Sequence, residues 1–243
     1  MNNFIHLSGC RTFCKNCLRP KSACFCHEIE PFNTQNKFTI LMHPKEAKRK
    51  QIGTGRLSHY ALQNSEIIVS ENFNSYLPTI LKDSNYHHVI LYPGKESIKI
   101  NNELPHGYFD RPLNIFILDG TWACAKKMLK LSTLLHDLPR ISFETGRLSK
   151  FDIKQQPASY CLSTIESIHE LLIHLEKANL ERAIPQKECL LRALKSLVEY
   201  HQKCAADPSM SHHAKASKPY QAKNKRVVQR KKYEKRSLVY IGD

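Results

Sequence analysis

Two groups of residues in this 243-residue sequence have the types and spacing to do chemistry. The first is CKNCLRPKSACFC, which sets Cys14, Cys17, Cys24 and Cys26 in a C-x2-C-x6-C-x-C pattern. A CxxC turn directs two thiolates to one side of a tight loop, and a second pair can close a tetrahedron around zinc with Zn–S bonds of about 2.3 Å. Lys15, Arg19 and Lys21 lie among the cysteines and offset their negative charge. Four cysteine ligands leave no open coordination position, so the zinc expected here is structural. A redox CxxC would sit at a strand-to-helix junction, and no such pattern surrounds this one. Cys10 and His27 flank the set, and either could stand in for one ligand.

The second group is IFILDGTWACAKKM, residues 115–128. An apolar run ends at Asp119-Gly120-Thr121, and the chain's only tryptophan, Trp122, stands where a helix should begin. Asp119 either caps that helix or supplies a carboxylate to a site. Gly120 fits a close backbone approach or a positive φ. Thr121 suits a cap or a ligand contact, with the cap favoured. Trp122 offers either a core side chain or a flat face for stacking a base.

The elements that must position these residues follow from periodicity. FTILMH (38–43), EIIVS (66–70), HHVILYP (87–93), NIFILD (114–119) and RISFE (140–144) read as strands. TGRLSHYALQN and TWACAKKMLKLSTLLHD carry apolar residues at helical spacing between them. The alternation predicts an α/β domain with a mostly parallel sheet and helices on both faces. In such sheets ligands sit beyond the carboxyl ends of the strands, so Asp119, Tyr92-Pro93-Gly94 and His43-Pro44 are expected on one rim. Tyr92-Pro93-Gly94 can alternatively be read as a type II turn, and His43 as a partner of Glu46. SYCLSTIESIHELLIHLEK (159–177) and KECLLRALKSLVEYHQKC (187–204) predict two amphipathic helices with a break at Ile184-Pro185. Three parts result: a cysteine-rich zinc-binding segment over 1–31, an α/β domain over 32–206, and a basic tail over 207–243 expected to be disordered.

The net charge of +15 favours a polyanionic partner, nucleic acid first. No apolar run is long enough to cross a bilayer, and the first residues lack the pattern of a signal peptide, so a cytoplasmic protein without a membrane partner is expected. No obligate protein partner is evident. Lys45, Lys48, Arg49, Lys50 and Arg56 form a basic run suited to phosphates, and the tail holds ten further Lys and Arg against three acidic residues. Of the nine cysteines, Cys124, Cys161, Cys189 and Cys204 are scattered in apolar or helical contexts and read as small hydrophobes.

In order along the chain, the cysteine head, HPKEAKRKQIGTGRL (43–57), LYPG (91–94), LDGTWACAKKM (118–128) and QPASYCLSTIES (156–167) resemble the DTW-domain family of tRNA-uridine aminocarboxypropyltransferases. The resemblance implies a SPOUT-like α/β fold with a knotted C-terminal half. It implies S-adenosylmethionine as donor, N3 of a tRNA uridine as acceptor and methylthioadenosine as the leaving product. Asp119 would be the general base for the weakly acidic N3–H. Tyr92, Pro93, Gly94, Thr121, Trp122, Leu162, Ser163 and Thr164 would line the donor pocket, with Lys45, Arg49, Arg56, Lys150 and Lys154 on the RNA. One departure is FDIKQ at 151–155, where the family usually carries arginines; Lys150 and Lys154 would substitute there as point charges. The competing functions are a SPOUT-type methyltransferase using the same donor and a catalytically silent zinc-containing RNA-binding protein. The intact DGTW argues against the second.

Overall fold

A computed structural model describes residues 4–5, 12–48, 53–101, 107–146, 149–151 and 161–207. In chain order the strands are β1 (Phe4–Ile5), β2 (Phe13–Cys14), β3 (Lys37–Met42), β4 (Ser65–Val69), β5 (His87–Leu91), β6 (Ile98–Lys99), β7 (Leu113–Asp119) and β8 (Arg140–Ser142). The helices are α1 (Pro44–Lys48), α2 (Gly55–Ala61), α3 (Leu77–Ile80), α4 (Trp122–Leu131), α5 (Thr164–Lys177) and α6 (Glu188–Ala206). Six strands form one sheet in the order β4-β3-β7-β5-β8-β6, and every pairing in it is parallel. β1 and β2 form a separate antiparallel pair.

Parallel strands need crossovers, and the helices that make them bury both faces of the sheet. Along β7, Ile115 and Ile117 point into one core, with Phe38, Ile40, Leu57, Leu171 and Leu197. Phe116 points into the other, with Leu41, Leu77, Ile90 and Met128. This two-sided burial explains why β7 reads as a continuous apolar run rather than an alternating one. α2, α5 and α6 pack together over the first face, and α4 lies over the second.

The cysteine-rich segment joins the first core. Cys14, Cys17, Phe25 and Ile29 are buried in it, and the Phe25 ring meets Tyr200 of α6 edge-on at 5.7 Å. α5 ends in a left-handed residue, Asn179 at φ 56°, and the Leu180 N–H returns to the Leu175 carbonyl at 2.8 Å. That closing bond releases the chain toward the expected break, where a short 3-10 turn, Pro185–Lys187, leads into α6.

Candidate active site and cysteine centre

β3 and β7 are paired so that Met42 lies opposite Asp119, and the His43 N–H donates to the Asp119 carbonyl at 2.9 Å. The expected rim therefore exists: His43 and Asp119 end neighbouring strands at the carboxyl edge. Tyr92 follows β5 on the other side of β7. Asp119 is 5% exposed. Its Oδ1 accepts a hydrogen bond of 2.5 Å from the Thr164 hydroxyl, at the first turn of α5. The other side of the carboxylate faces Gly55, the first residue of α2. A Cβ at Gly55 would lie 2.5 Å from Asp119 Oδ2 and 2.8 Å from its Cγ. Three of the sequence motifs thus meet at one carboxylate.

Asp119 does not cap α4. The cap is Thr121, whose side chain accepts from the Cys124 N–H at 3.3 Å. Gly120 does not supply a positive φ; among the described glycines only Gly107 has one. Gly120 is needed for space instead, because a Cβ there would lie 3.1 Å from Cys124 Cβ and 3.5 Å from His43 Cβ. Trp122 is half-buried, belongs to neither core cluster and follows the Asp119-Gly120-Thr121 turn as the first residue of α4. His43 pairs with Glu46 through the backbone, its carbonyl accepting from the Glu46 N–H at 2.9 Å. Its Nδ1 accepts from the Lys45 N–H at 3.1 Å, and its Nε2 faces Glu71 at 3.1 Å.

Tyr92, Pro93 and Gly94 are half-buried. Gly94 has no positive φ, so it does not form the second corner of a type II turn. The Arg140 guanidinium lies over the Tyr92 ring at 5.7 Å, with its Nη1 only 3.3 Å from where a Gly94 Cβ would stand. Burial pushes the Tyr92 hydroxyl pKa up.

Ser163 and Glu166 form a reciprocal capping box at the start of α5. Glu166 is 5% exposed and does more than cap. It accepts from the Ser163 N–H at 2.8 Å, the Lys150 N–H at 2.7 Å and the Ser149 hydroxyl at 2.8 Å. It therefore pins residues 149–150 to the helix that carries Thr164. The sequence signal for this was the S-x-x-E spacing in STIE. The Gly55 contact and the Thr164 side-chain contact had no comparable signal.

Of the residues expected on RNA, Lys45 and Lys150 are exposed and Arg56 is half-buried. Arg56 follows Gly55, Lys45 lies two residues beyond His43, and Lys150 is held through Glu166. Each is thus within a few residues of a group at the Asp119 site. Arg49 and Lys154 lie outside the described residues, as do Cys10 and the tail from residue 208.

The four cysteines of the head converge. Their sulfurs all lie within 4.8 Å of one another, with Cys14–Cys26 and Cys17–Cys24 each at 3.8 Å. A tetrahedral zinc with bonds of about 2.3 Å separates its sulfurs by about 3.8 Å, so the set fits the ion. His27 is 70% exposed and turns to Glu28 at 3.3 Å, away from the ligand set. The turn is closed by hydrogen bonds from the Leu18 N–H to the Cys14 carbonyl and from the Cys14 N–H to the Arg19 carbonyl, with Leu18 at φ 57°. The hydrogen bond from Cys26 draws the Cys17 thiol down to about 5. Burial pushes Cys24 up to about 11, and the bond to Cys17 together with burial pushes Cys26 up as well. A cation at the centre of the four sulfurs would favour their ionised form. Lys15 and Lys21 are exposed, so the buried positive group at the cluster is Arg19.

The chain is similar to several named proteins. It is 29% identical over 212 residues to tRNA-uridine aminocarboxypropyltransferase 2 of Macaca fascicularis, covering 83% of this chain and 67% of that protein. The Drosophila melanogaster protein of the same name is 29% identical over 199 residues, covering 78% and 75%. tRNA-uridine aminocarboxypropyltransferase A of Arabidopsis thaliana is 26% identical over 222 residues, covering 79% and 82%. No solved structure matches the chain. The DTW-domain model matches residues 11–202, which takes in the cysteine centre, the Asp119 rim, α5 and most of α6. This chain belongs to the DTW-domain family.

Proposed function

We propose that this chain is a tRNA-uridine aminocarboxypropyltransferase, moving the 3-amino-3-carboxypropyl group of S-adenosylmethionine to N3 of a tRNA uridine. The names of its relatives support that reading. The observation that carries it is the Asp119 carboxylate, buried at the end of β7, hydrogen-bonded by Thr164 and walled by Gly55. A carboxylate held at the end of a strand is suited to take a proton from a weakly acidic N–H. As that proton moves to Asp119, the N3 electron pair attacks the γ-carbon of the donor's side chain. The carbon–sulfur bond breaks toward the sulfonium, and neutral methylthioadenosine leaves.

The half-buried Trp122 stacks the adenine or the target uracil, and Tyr92-Pro93-Gly94 with Leu162-Ser163-Thr164 lines the donor side. Lys45, Arg49, Arg56, Lys150 and Lys154 take tRNA phosphates around the rim. A structural zinc at Cys14, Cys17, Cys24 and Cys26 supplies rigidity to the head and no reactive position. The segment 1–31 is the zinc-binding part, 32–206 the catalytic unit with a SPOUT-like, knotted C-terminal half, and 207–243 an electrostatic tether. The protein acts in the cytoplasm without an obligate protein partner. Among the described residues no helix is long and apolar enough to cross a membrane.

The test is incubation of the purified chain with donor and unmodified tRNA, followed by mass spectrometry of nucleosides and of the spent donor. The expected products are aminocarboxypropyluridine and methylthioadenosine. Methyluridine with S-adenosylhomocysteine would assign the methyltransferase reaction instead, and unmodified tRNA retained by the protein would leave only RNA binding.

A further inference from the structure

We propose that Arg19 is a positioning residue for Asp119, acting through the backbone of residues 53–55, so that the cysteine centre and the catalytic carboxylate move as one unit. The inference rests on the reading of Asp119 as the general base. Arg19 lies two residues beyond Cys17 and is 1% exposed, a rare state for a guanidinium. Its carbonyl closes the cysteine turn, accepting from the Cys14 N–H at 2.8 Å. Its guanidinium lies 5.5 Å from the centre of the Phe25 ring. From there Nη2 donates to the Gly53 carbonyl at 2.9 Å, across 34 residues of chain.

Neutralising thiolates does not require that arrangement. Exposed Lys15 and Lys21 supply positive charge without the cost of burial. A planar fork adds direction: it fixes the Gly53 carbonyl relative to the cysteine turn. Two residues on, Gly55 is in contact with Asp119, since even a Cβ there would overlap the carboxylate at 2.5 Å. Between them, the buried Thr54 offers its carbonyl to the Ser58 N–H at 3.0 Å and the Ser58 hydroxyl at 3.1 Å, which ties the segment to α2. With no slack between Gly55 and Asp119, a shift at Gly53 is passed on to the carboxylate. The contacts from Cys14 to Asp119 are continuous: cysteine turn, Arg19, Gly53, Gly55, carboxylate.

The experiment compares Arg19→Met, Gly55→Ala and Asp119→Asn in the full-length protein. It measures zinc content, single-turnover rate and KM for donor and tRNA, and hydrogen exchange over residues 53–58. Arg19→Met keeps much of the side-chain volume but loses the fork. It is expected to retain zinc, to speed exchange over 53–58, and to lower kcat by roughly 10–100-fold with KM little changed, the scale of a misplaced catalytic group. Gly55→Ala is expected to lower kcat similarly, and adding Arg19→Met to it should cost far less than the product of the two single effects. If Arg19→Met retains zinc with unchanged exchange and wild-type kcat, or if the two effects multiply, the coupling is wrong. If Arg19→Met does not fold, Gly55→Ala decides, because it leaves the head untouched: full zinc with wild-type turnover would overturn the proposal. Wild-type turnover in Asp119→Asn is a separate failure, since it removes the base reading itself.

Discussion

Asp119 divides its work between backbone and side chain. Its carbonyl accepts from His43 as part of the β3–β7 edge, while its carboxylate is turned to Thr164 and Gly55. Because Thr121 holds the cap of α4, replacing Asp119 by Asn leaves that helix start intact. Asp119→Asn should therefore lower turnover by roughly 10²–10⁴, the usual contribution of a positioned acid or base, measured with saturating donor and tRNA. Thr164→Val removes one hydrogen bond to the carboxylate and leaves the proposed base in place. A smaller loss of kcat, about tenfold, is expected, in line with about 1.5 kcal/mol for a hydrogen bond to a charged group. Trp122→Ala should behave differently again. The ring lies outside both cores, so the melting temperature should change little while KM for donor or tRNA rises. A large fall in melting temperature would return Trp122 to a packing role.

At the scale of elements, Glu166 decides how α5 meets the segment before it. Glu166→Ala removes the capping box together with the anchors on Ser149 and Lys150. It should destabilise the protein by about 2 kcal/mol, the upper range for a lost cap, and expose residues 149–151 to proteolysis. Urea denaturation and limited digestion would check both. The long elements were legible in the sequence because their periodicity was strong: β7 was read as 114–119 and found over Leu113–Asp119. α6 was read as 187–204 and found over Glu188–Ala206. β6, with two residues, and α3, with four, are too short to leave a periodic signal. The strand order was not legible either, since apolar runs of similar composition do not say which neighbour they choose. The same limit applies at the site. A strand ending in Asp119 could be read, but the residues that confine it come from α2 and α5, far along the chain. Thr164 is expected to line the donor pocket, and its hydroxyl proves to be the group that meets the carboxylate.

For the molecule as a whole, charge and protonation set two expectations. Truncation after Ala206 removes ten Lys and Arg with three acidic residues. Binding of tRNA should weaken and its salt dependence flatten, with the modified uridine unchanged. A shift of the modification to another nucleotide would make the tail a specificity element. His88 is held as a neutral imidazole: Nε2 donates to the Asp83 carbonyl at 3.0 Å, and Nδ1 accepts from the Asn114 amide at 3.3 Å. Burial pushes its pKa below the ordinary value, and burial with the nearby Arg56 does the same for His59. A folded pKa below the unfolded one gives stability that is present above about pH 6.5 and lost as the pH falls through the folded value. The melting temperature should therefore decline as the pH is lowered from about 6.5 to 5, and His88→Gln should flatten that decline.

The cysteine segment leans on α6, more than 150 residues further along the chain. Ser196 donates to Glu28 at 3.0 Å, and the Cys189 thiol to the Glu30 carbonyl at 3.6 Å. Glu181 receives the Gln35 and Asn36 N–H groups at 3.1 Å across about 145 residues. The head is therefore synthesised well before α6, on which its packing depends. A nascent chain that has not yet produced α6 leaves Phe25 and Ile29 without much of the surface that covers them. Such long-range closure slows folding and leaves apolar surface uncovered in the interval. Metal captured early by the four thiolates would hold the head compact through that wait, making the ion a device for the order of assembly as well as for the finished fold.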